Sequence, residues 1–265
     1  MYAFNYQRAD SVQAAVKALR DHPEAKLLAG GMTLLPTLKL RLAQPTDLID
    51  LGGIAELRVI KHDAKTLEVG AMVTHGEVAS SPDVRAAIAA LSVLAGHIGD
   101  AQVRNRGTIG GSVSNSDPAA DYPAALVCLG ATVHTDRRSI AAEDFFKGMF
   151  ETALEPAEIV TRVSFPIPER AGYAKFPNPA SRYAVVGVMV AKTKQGVRVA
   201  VTGAGPSVFR VSAMEQALTR SFTPAALDGI TVPADDFNDD LHASAAYRAH
   251  LVGVMARRAT AAAIA

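Results

Sequence analysis

The chain has 265 residues, 27 Lys+Arg against 26 Asp+Glu, 49% apolar residues, one cysteine and no tryptophan. That length suits two or three compact units, and balanced charge with no basic run beyond the pairs Arg137-Arg138 and Arg257-Arg258 argues against nucleic acid or an anionic membrane as partner. The single thiol, Cys128, lies in the apolar run Ala124 to Leu129; it excludes an intramolecular disulfide, and an iron–sulfur cluster or zinc site held by this chain's cysteines, and reads as a buried small hydrophobe.

In chain order, Ser11 is placed to cap a helix with the apolar face Val12, Ala15, Val16 and Leu19, ending before His22-Pro23. Ala25 to Ala29 reads as a short strand, Gly30-Gly31 as the turn after it, and Thr33 to Arg41 as a short helix with Pro36 in its first turn. A tight turn needing positive φ accounts for an isolated Gly-Gly; the amides of such a turn at a helix start also suit an anion. Asp47 to Leu51 reads as another strand, and Leu57 to His62 with Thr66 to Gly70 as a hairpin turned at Asp63-Ala64-Lys65. Thr74 and Ser80-Ser81 are candidate caps for the helices that follow, and Val84 to Leu94 reads as one apolar, buried helix. His75 and His97 have no companion at i, i+3 or i, i+4 and no carboxylate cluster, so solvated or hydrogen-bonded structural histidines are expected rather than a metal site.

The stretch Ala101 to Pro123, AQVRNRGTIGGSVSNSDPAADYP, is polar and punctuated by glycine between two apolar helical segments. Thr108 to Gly111 reads as a second amide-rich turn with a hydroxyl for a phosphate oxygen, and Asn115, Asp117 and Asp121 follow it as side-chain acceptors. Asp121 opens an apolar helix, Tyr122 to Leu129, where a carboxylate either caps the helix or accepts hydrogen bonds from ligand hydroxyls. Next come a strand at Thr132 to Thr135, a short helix at Ala142 to Phe146 and an extended segment at Glu158 to Pro166. After a linker at Pro166 and Pro168 lie Tyr173 to Phe176, the turn Pro177-Asn178-Pro179 and a strand pair, Val185 to Thr193 and Val197 to Thr202. A helix near Val211 to Leu218 and a long alanine-rich helix, Ala243 to Ala263, complete the pattern. Gly203-Ala204-Gly205 imitates a dinucleotide fingerprint, but Val208 occupies its third glycine position and a hairpin precedes it, so a turn is expected.

Four stretches together resemble the FAD-binding medium subunit of molybdenum hydroxylases, the group of carbon monoxide dehydrogenase and xanthine dehydrogenase. They are Leu27 to Leu42 (LLAGGMTLLPTLKLRL), Ile98 to Ala124, Lys175 to Val188 (KFPNPASRYAVVGV) and Asp240 to Arg258, in the family's order and spread over nearly the whole chain. The resemblance implies an α+β architecture: a two-subdomain vanillyl-alcohol-oxidase-like (PCMH-type) FAD fold at 1–55 and 56–168, with the cofactor between the subdomains. A C-terminal α/β domain of the CO dehydrogenase flavoprotein type, a sheet with helices, would occupy 169–265.

The same resemblance implies FAD contacts from Ala29, Gly30, Gly31, Met32, Thr33 and Leu34 and from Thr108, Gly110 and Gly111, chiefly to the pyrophosphate and adjoining ribityl. Asn115, Asp117 and Asp121 would hold ribityl and ribose, and Ile98, Val103, Ile159 and Val160 would line the pocket. Lys175 and Tyr183 would stand near the isoalloxazine, the lysine stabilising negative charge on reduced flavin and the tyrosine covering one face. Asn178-Pro179 and Ser181-Arg182 replace an arginine pair and an acidic residue found in some relatives, which brings the carbon monoxide dehydrogenase-like members closer.

The implied function is that of an electron-transfer subunit needing no nucleophile or acid/base dyad, because the flavin carries the chemistry. Electrons would arrive from a small [2Fe–2S] subunit, a large molybdopterin subunit would oxidise the substrate, and the heterotrimer would dimerise. Quinone, O2 or NAD would be the acceptor. A free-standing FAD oxidoreductase of the same fold, acting on a small alcohol or amine, is the competing reading, and a module that kept the fold without FAD is a third. The apolar runs fall short of the ~18 residues of a membrane span and the N-terminal residues lack a signal-peptide core, so the expected setting is cytoplasmic.

Overall fold

The computed structural model describes residues 1–265. β1 (Asn5–Arg8), α1 (Val12–Asp21), β2 (Lys26–Leu28), α2 (Leu34–Lys39) and β3 (Asp47–Asp50) make a small parallel sheet with β3 between β1 and β2. α1 forms as its pattern predicts: the Ser11 hydroxyl accepts from the Ala14 amide, and Val12, Ala15 and Val16 bury against Ile49. β1 has no such signal, because NYQR is a polar, largely exposed edge strand.

The middle of the chain supplies β4 (Ile60–His62), β5 (Thr66–Gly70), α3 (His75–Ser80), α4 (Pro82–Ala87), α5 (Ala89–Gly96), α6 (Ala101–Arg106), α7 (Ile109–Asn115) and α8 (Tyr122–Leu129). β6 (Thr132–Thr135), β7 (Ser139–Ala141), α9 (Ala142–Phe145), β8 (Phe146–Gly148), β9 (Glu151–Thr152) and β10 (Val160–Pro166) follow. Five of these strands form an antiparallel sheet in the order β4-β5-β10-β6-β7. Thr74 and Glu77 form a capping box on α3, and Ser81 caps α4. Val84 to Leu94 is not one helix: Ile88 leaves the helical conformation, with φ −145° and ψ 81°, and separates α4 from α5. The break lays α4 on β4 and α5 against α3, while Val84, Ile88, Leu91 and Leu94 still enter one core. The apolar period runs through the break and gives no sign of it.

β11 (Arg170–Pro177), β12 (Ala184–Thr193), β13 (Gly196–Thr202) and β14 (Phe209–Arg210) form a third, antiparallel sheet, accompanied by α10 (Ser212–Arg220) and α11 (Ala245–Ile264). β12 is apolar and buried from Ala184 to Ala191 because both faces of that stretch are covered. Val186, Val188 and Val190 join the core under α11, whereas Met189 and Ala191 join the core that holds α8. α8 is consequently buried at every residue, Cys128 included. No helix is long and apolar enough to cross a membrane.

One ion pair, between the buried Glu158 carboxylate and the part-exposed Arg138, closes the loop before β10. The Arg138 guanidinium donates to both carboxylate oxygens of Glu158 at 2.9 Å, and the Thr135 hydroxyl and Glu155 amide add bonds of 2.8 Å. These partners, Arg138 first, hold the Glu158 carboxyl at about 2, below its unfolded value. A depressed carboxyl stabilises the fold above the unfolded pKa, and that contribution disappears as pH falls from about 4.5 to about 2. Because the Arg138 guanidinium is 41% exposed and solvent screens the pair, Glu158→Gln is expected to lower stability at pH 7 by about 1–2 kcal/mol and to flatten the acid limb of a urea-midpoint-against-pH curve. An acid limb of unchanged depth in the variant would refute this assignment.

Candidate functional site

A cavity of about 650 Å³ lies between the three sheets, with wall residues from the β2–α2 turn, the α6–α8 region, the start of β10 and the loop before β12. The β2–α2 turn comes close to the α6–α7 junction. A Cβ on Gly30 would stand 2.0 Å from the Arg106 carbonyl oxygen, so only glycine permits this approach, and Gly31 has φ +75°. The amides of Gly30, Gly31, Met32, Thr33 and Leu34 make no backbone hydrogen bond. Five adjacent free donors on a cavity wall make a strong anion cradle.

The Thr108–Gly111 segment behaves differently from its expected role as a second set of free amides. It begins α7, and its donors are taken: Ile109 N by the Val73 carbonyl at 3.0 Å, Gly110 N by the Ala71 carbonyl at 2.9 Å, and Gly111 N by the Thr108 hydroxyl at 3.1 Å. Gly110 is required for packing, since a Cβ there would meet the Ala71 Cβ at 2.5 Å. Thr108, Gly110 and Gly111 still form wall, but as a floor fixed to β5's following loop rather than as free donors.

Along α7 and just past it the wall turns polar with Ser112, Ser114, Asn115 and Asp117. Burial pushes the Asp117 carboxyl up, opposed by the Ala119 amide, which donates to it at 2.8 Å. Asp121 does not cap α8: no amide of that helix bonds its side chain. Its carboxylate instead accepts from the Tyr173 hydroxyl and from Lys175 Nζ at 2.9 Å, while the same ammonium donates to the His97 carbonyl at 3.1 Å. Burial pushes Asp121 up, and Lys175 and Tyr173 pull it back.

All the residues expected at the site line the cavity with one exception. Ala29, Met32, Leu34, Ile98, Val103, Ile159, Val160 and Tyr183 are on its wall beside the glycines and the carboxylates. Lys175 is not: its side chain is 3% exposed and lies behind Asp121 in the ion pair. Burial and the nearby Asp117 push the Tyr183 hydroxyl up, so the phenol is neutral.

Several wall residues escaped the sequence reading. Leu51 and Met72 carry only an apolar signal, indistinguishable from core. His75, expected to be solvated or hydrogen-bonded, is 5% exposed with Nδ1 unpartnered, and burial together with Arg104 lowers it to about 4, so its ring is neutral. Arg182 lies on the wall next to Tyr183. Gly203-Ala204-Gly205 is elsewhere, a turn tied down by Gly203 N to the Pro118 carbonyl at 2.8 Å and by Arg248 to the Gly203 carbonyl at 3.0 Å.

Residues 2–168 match the family described as the FAD binding domain in molybdopterin dehydrogenase. This chain belongs to that family. It is 36% identical to the carbon monoxide dehydrogenase medium chain of Hydrogenophaga pseudoflava, over 97% of this chain and 95% of that one. The nicotine 6-hydroxylase medium subunit of Paenarthrobacter nicotinovorans is 33% identical over the same shares. Among solved structures, quinoline 2-oxidoreductase from Pseudomonas putida 86 superposes with a TM-score of 0.90 at 31% identity, covering 99% of this chain and 97% of that one. Carbon monoxide dehydrogenase from Hydrogenophaga pseudoflava superposes at 0.89 with 37% identity, covering 99% and 98%. The mixed helix-and-sheet architecture is thus that of a family of FAD-binding dehydrogenase subunits.

The cavity's chemistry fits FAD on grounds independent of the family. The free amides at Gly30–Leu34 suit a pyrophosphate, the polar wall from Ser112 to Asp117 suits hydroxyl groups, and the apolar lining of Ile98, Val103, Ile159 and Val160 suits planar rings.

Proposed function

We propose that this chain is the FAD-carrying electron-transfer subunit of a molybdenum hydroxylase of the carbon monoxide dehydrogenase-like kind. The free amides of Gly30–Leu34, which share one cavity with Asn115 and Asp117, carry the proposal. In this reading the Ala29–Leu34 turn holds the pyrophosphate, and Thr108, Gly110 and Gly111 form a fixed floor beneath it. Asn115 and Asp117 bond the sugar and ribityl hydroxyls, with Asp121 held in register by Lys175 and Tyr173. Tyr183 covers the isoalloxazine. Bound FAD supplies the redox chemistry; the chain binds it, orients it and excludes water from its reactive ring. The two FAD-binding subdomains are 1–55 and 56–168, and 169–265 closes the cavity with the Tyr183 loop.

The single cysteine, buried in α8, leaves this chain without thiolates for a cluster. Electrons therefore come from a [2Fe–2S] subunit, and a large molybdopterin subunit oxidises the substrate. We place the assembly, a dimer of heterotrimers, in the cytoplasm, with quinone, O2 or NAD as acceptor. Co-expression with its neighbouring genes tests the partnership: tagged chain is expected to draw down an iron–sulfur protein and a large partner. Flavin turnover of a small alcohol or amine by the chain alone, with no partner retained, would instead establish a free-standing oxidoreductase.

A further inference from the structure

The resemblance places Lys175 beside the flavin; in the structure its ammonium is buried against Asp121, off the cavity wall. A different cation is on the wall. Arg182 is exposed, and its guanidinium makes no hydrogen bond and no ion pair within the chain. Its backbone is left-handed, with φ +66°, a conformation that disfavours a non-glycine residue and that the surroundings must enforce.

The enforcement is visible. The Asn178 amide donates to the Tyr183 carbonyl at 2.8 Å, and the Arg182 amide donates to the Asn178 carbonyl at 3.0 Å. The Asn178 side-chain oxygen accepts from the amides of Ala180 at 2.9 Å and Ser181 at 3.0 Å, and Asn178 itself is buried. These bonds fold the loop back on itself, so Arg182 and Tyr183 are presented to the cavity together.

We infer that Arg182 is the charge that sets the reduction potential of the bound flavin. The inference rests on the FAD reading above and on Tyr183 marking the ring end of the cofactor. Oxidised isoalloxazine is neutral; uptake of two electrons from the iron–sulfur partner and of one proton leaves the ring anionic. A cation near that charge favours the reduced form, and charge near the ring is a principal lever on flavin electronics. Arg182 acts as a positioning and tuning group and exchanges no proton or electron.

Lys26 supplies the control. It is the other wall cation without an ion pair, carried by β2, away in sequence from the Tyr183 loop. Arg182→Asn, Arg182→Lys and Lys26→Gln are to be compared in the purified complex, asparagine being chosen because it tolerates the left-handed backbone. The readouts are the flavin midpoint potential by dye equilibration at low and high salt, and FAD content. Arg182→Asn is expected to retain FAD and to shift the oxidised/reduced balance about tenfold toward oxidised, lowering the potential by about 30 mV for a two-electron couple. Arg182→Lys is expected to restore most of the shift, Lys26→Gln to leave the potential unchanged, and high salt to shrink the difference. An unchanged potential in Arg182→Asn with FAD still bound, or an equal drop in Lys26→Gln, overturns the inference alone. Absence of FAD from the unsubstituted complex overturns the underlying reading.

Discussion

Replacing Lys175 with methionine is expected to cost the folded chain about 3–5 kcal/mol. The side chains of Lys175 and Asp121 are 3% and 4% exposed and 2.9 Å apart, so solvent does little to screen them. Removal of the ammonium leaves a buried carboxylate supported only by the Tyr173 hydroxyl, and the cost of that unpaired charge exceeds the attraction lost. Protonation of Asp121 would recover part of the loss. The pair also joins β11 to the start of α8 and, through the His97 carbonyl, to the end of α5. The double variant Lys175→Met, Asp121→Asn is expected to regain most of the stability, because neither charge is then stranded. Urea unfolding of the two variants and the parent checks this; a loss below about 1 kcal/mol in Lys175→Met would mean the pair behaves as a solvated surface bridge.

Gly30→Val is expected to remove FAD without unfolding the chain. Any side chain at Gly30 runs into backbone, with the Arg106 oxygen at 2.0 Å and the Gly107 Cα at 2.7 Å from the new Cβ. Backbone cannot rotate aside as a side-chain tip can, so the Ala29–Leu34 turn must move by more than an ångström relative to the α6–α7 junction. Displacing a ligand cradle by that much costs on the order of 100-fold in affinity, near 3 kcal/mol, against about 1–3 kcal/mol in overall stability. Titration of the deflavinated complex with FAD, followed by flavin fluorescence, separates the two effects. An affinity within threefold of the parent, roughly 0.6 kcal/mol, would show that the turn does not hold the cofactor.

What was readable in the sequence was local. α1 follows from Ser11 and its apolar face, the β4–β5 hairpin from its turn, and the β12–β13 pair from Lys194-Gln195-Gly196, because each is decided by residues within a few positions of one another. The short motifs around Gly30-Gly31 and Gly110-Gly111 were legible for the same reason, and the fold brings them to one cavity.

What failed depended on distant partners. The amides of Ile109 and Gly110 look free in sequence and are taken by Val73 and Ala71, which only the fold brings alongside. Lys175 has the right charge for a flavin neighbour, and nothing local reveals that Asp121 claims it. His75 reaches the wall because α3 packs against α6, and Arg182 because Asn178 folds its loop back.

The central claim is that this cavity holds FAD, and the most direct test is the identity and amount of flavin in the purified complex. Acid extraction and chromatography are expected to yield FAD, about one per chain, from the parent, and little from Gly30→Val. A colourless parent that takes up no FAD, a parent carrying FMN, or equal FAD in parent and Gly30→Val would contradict the account.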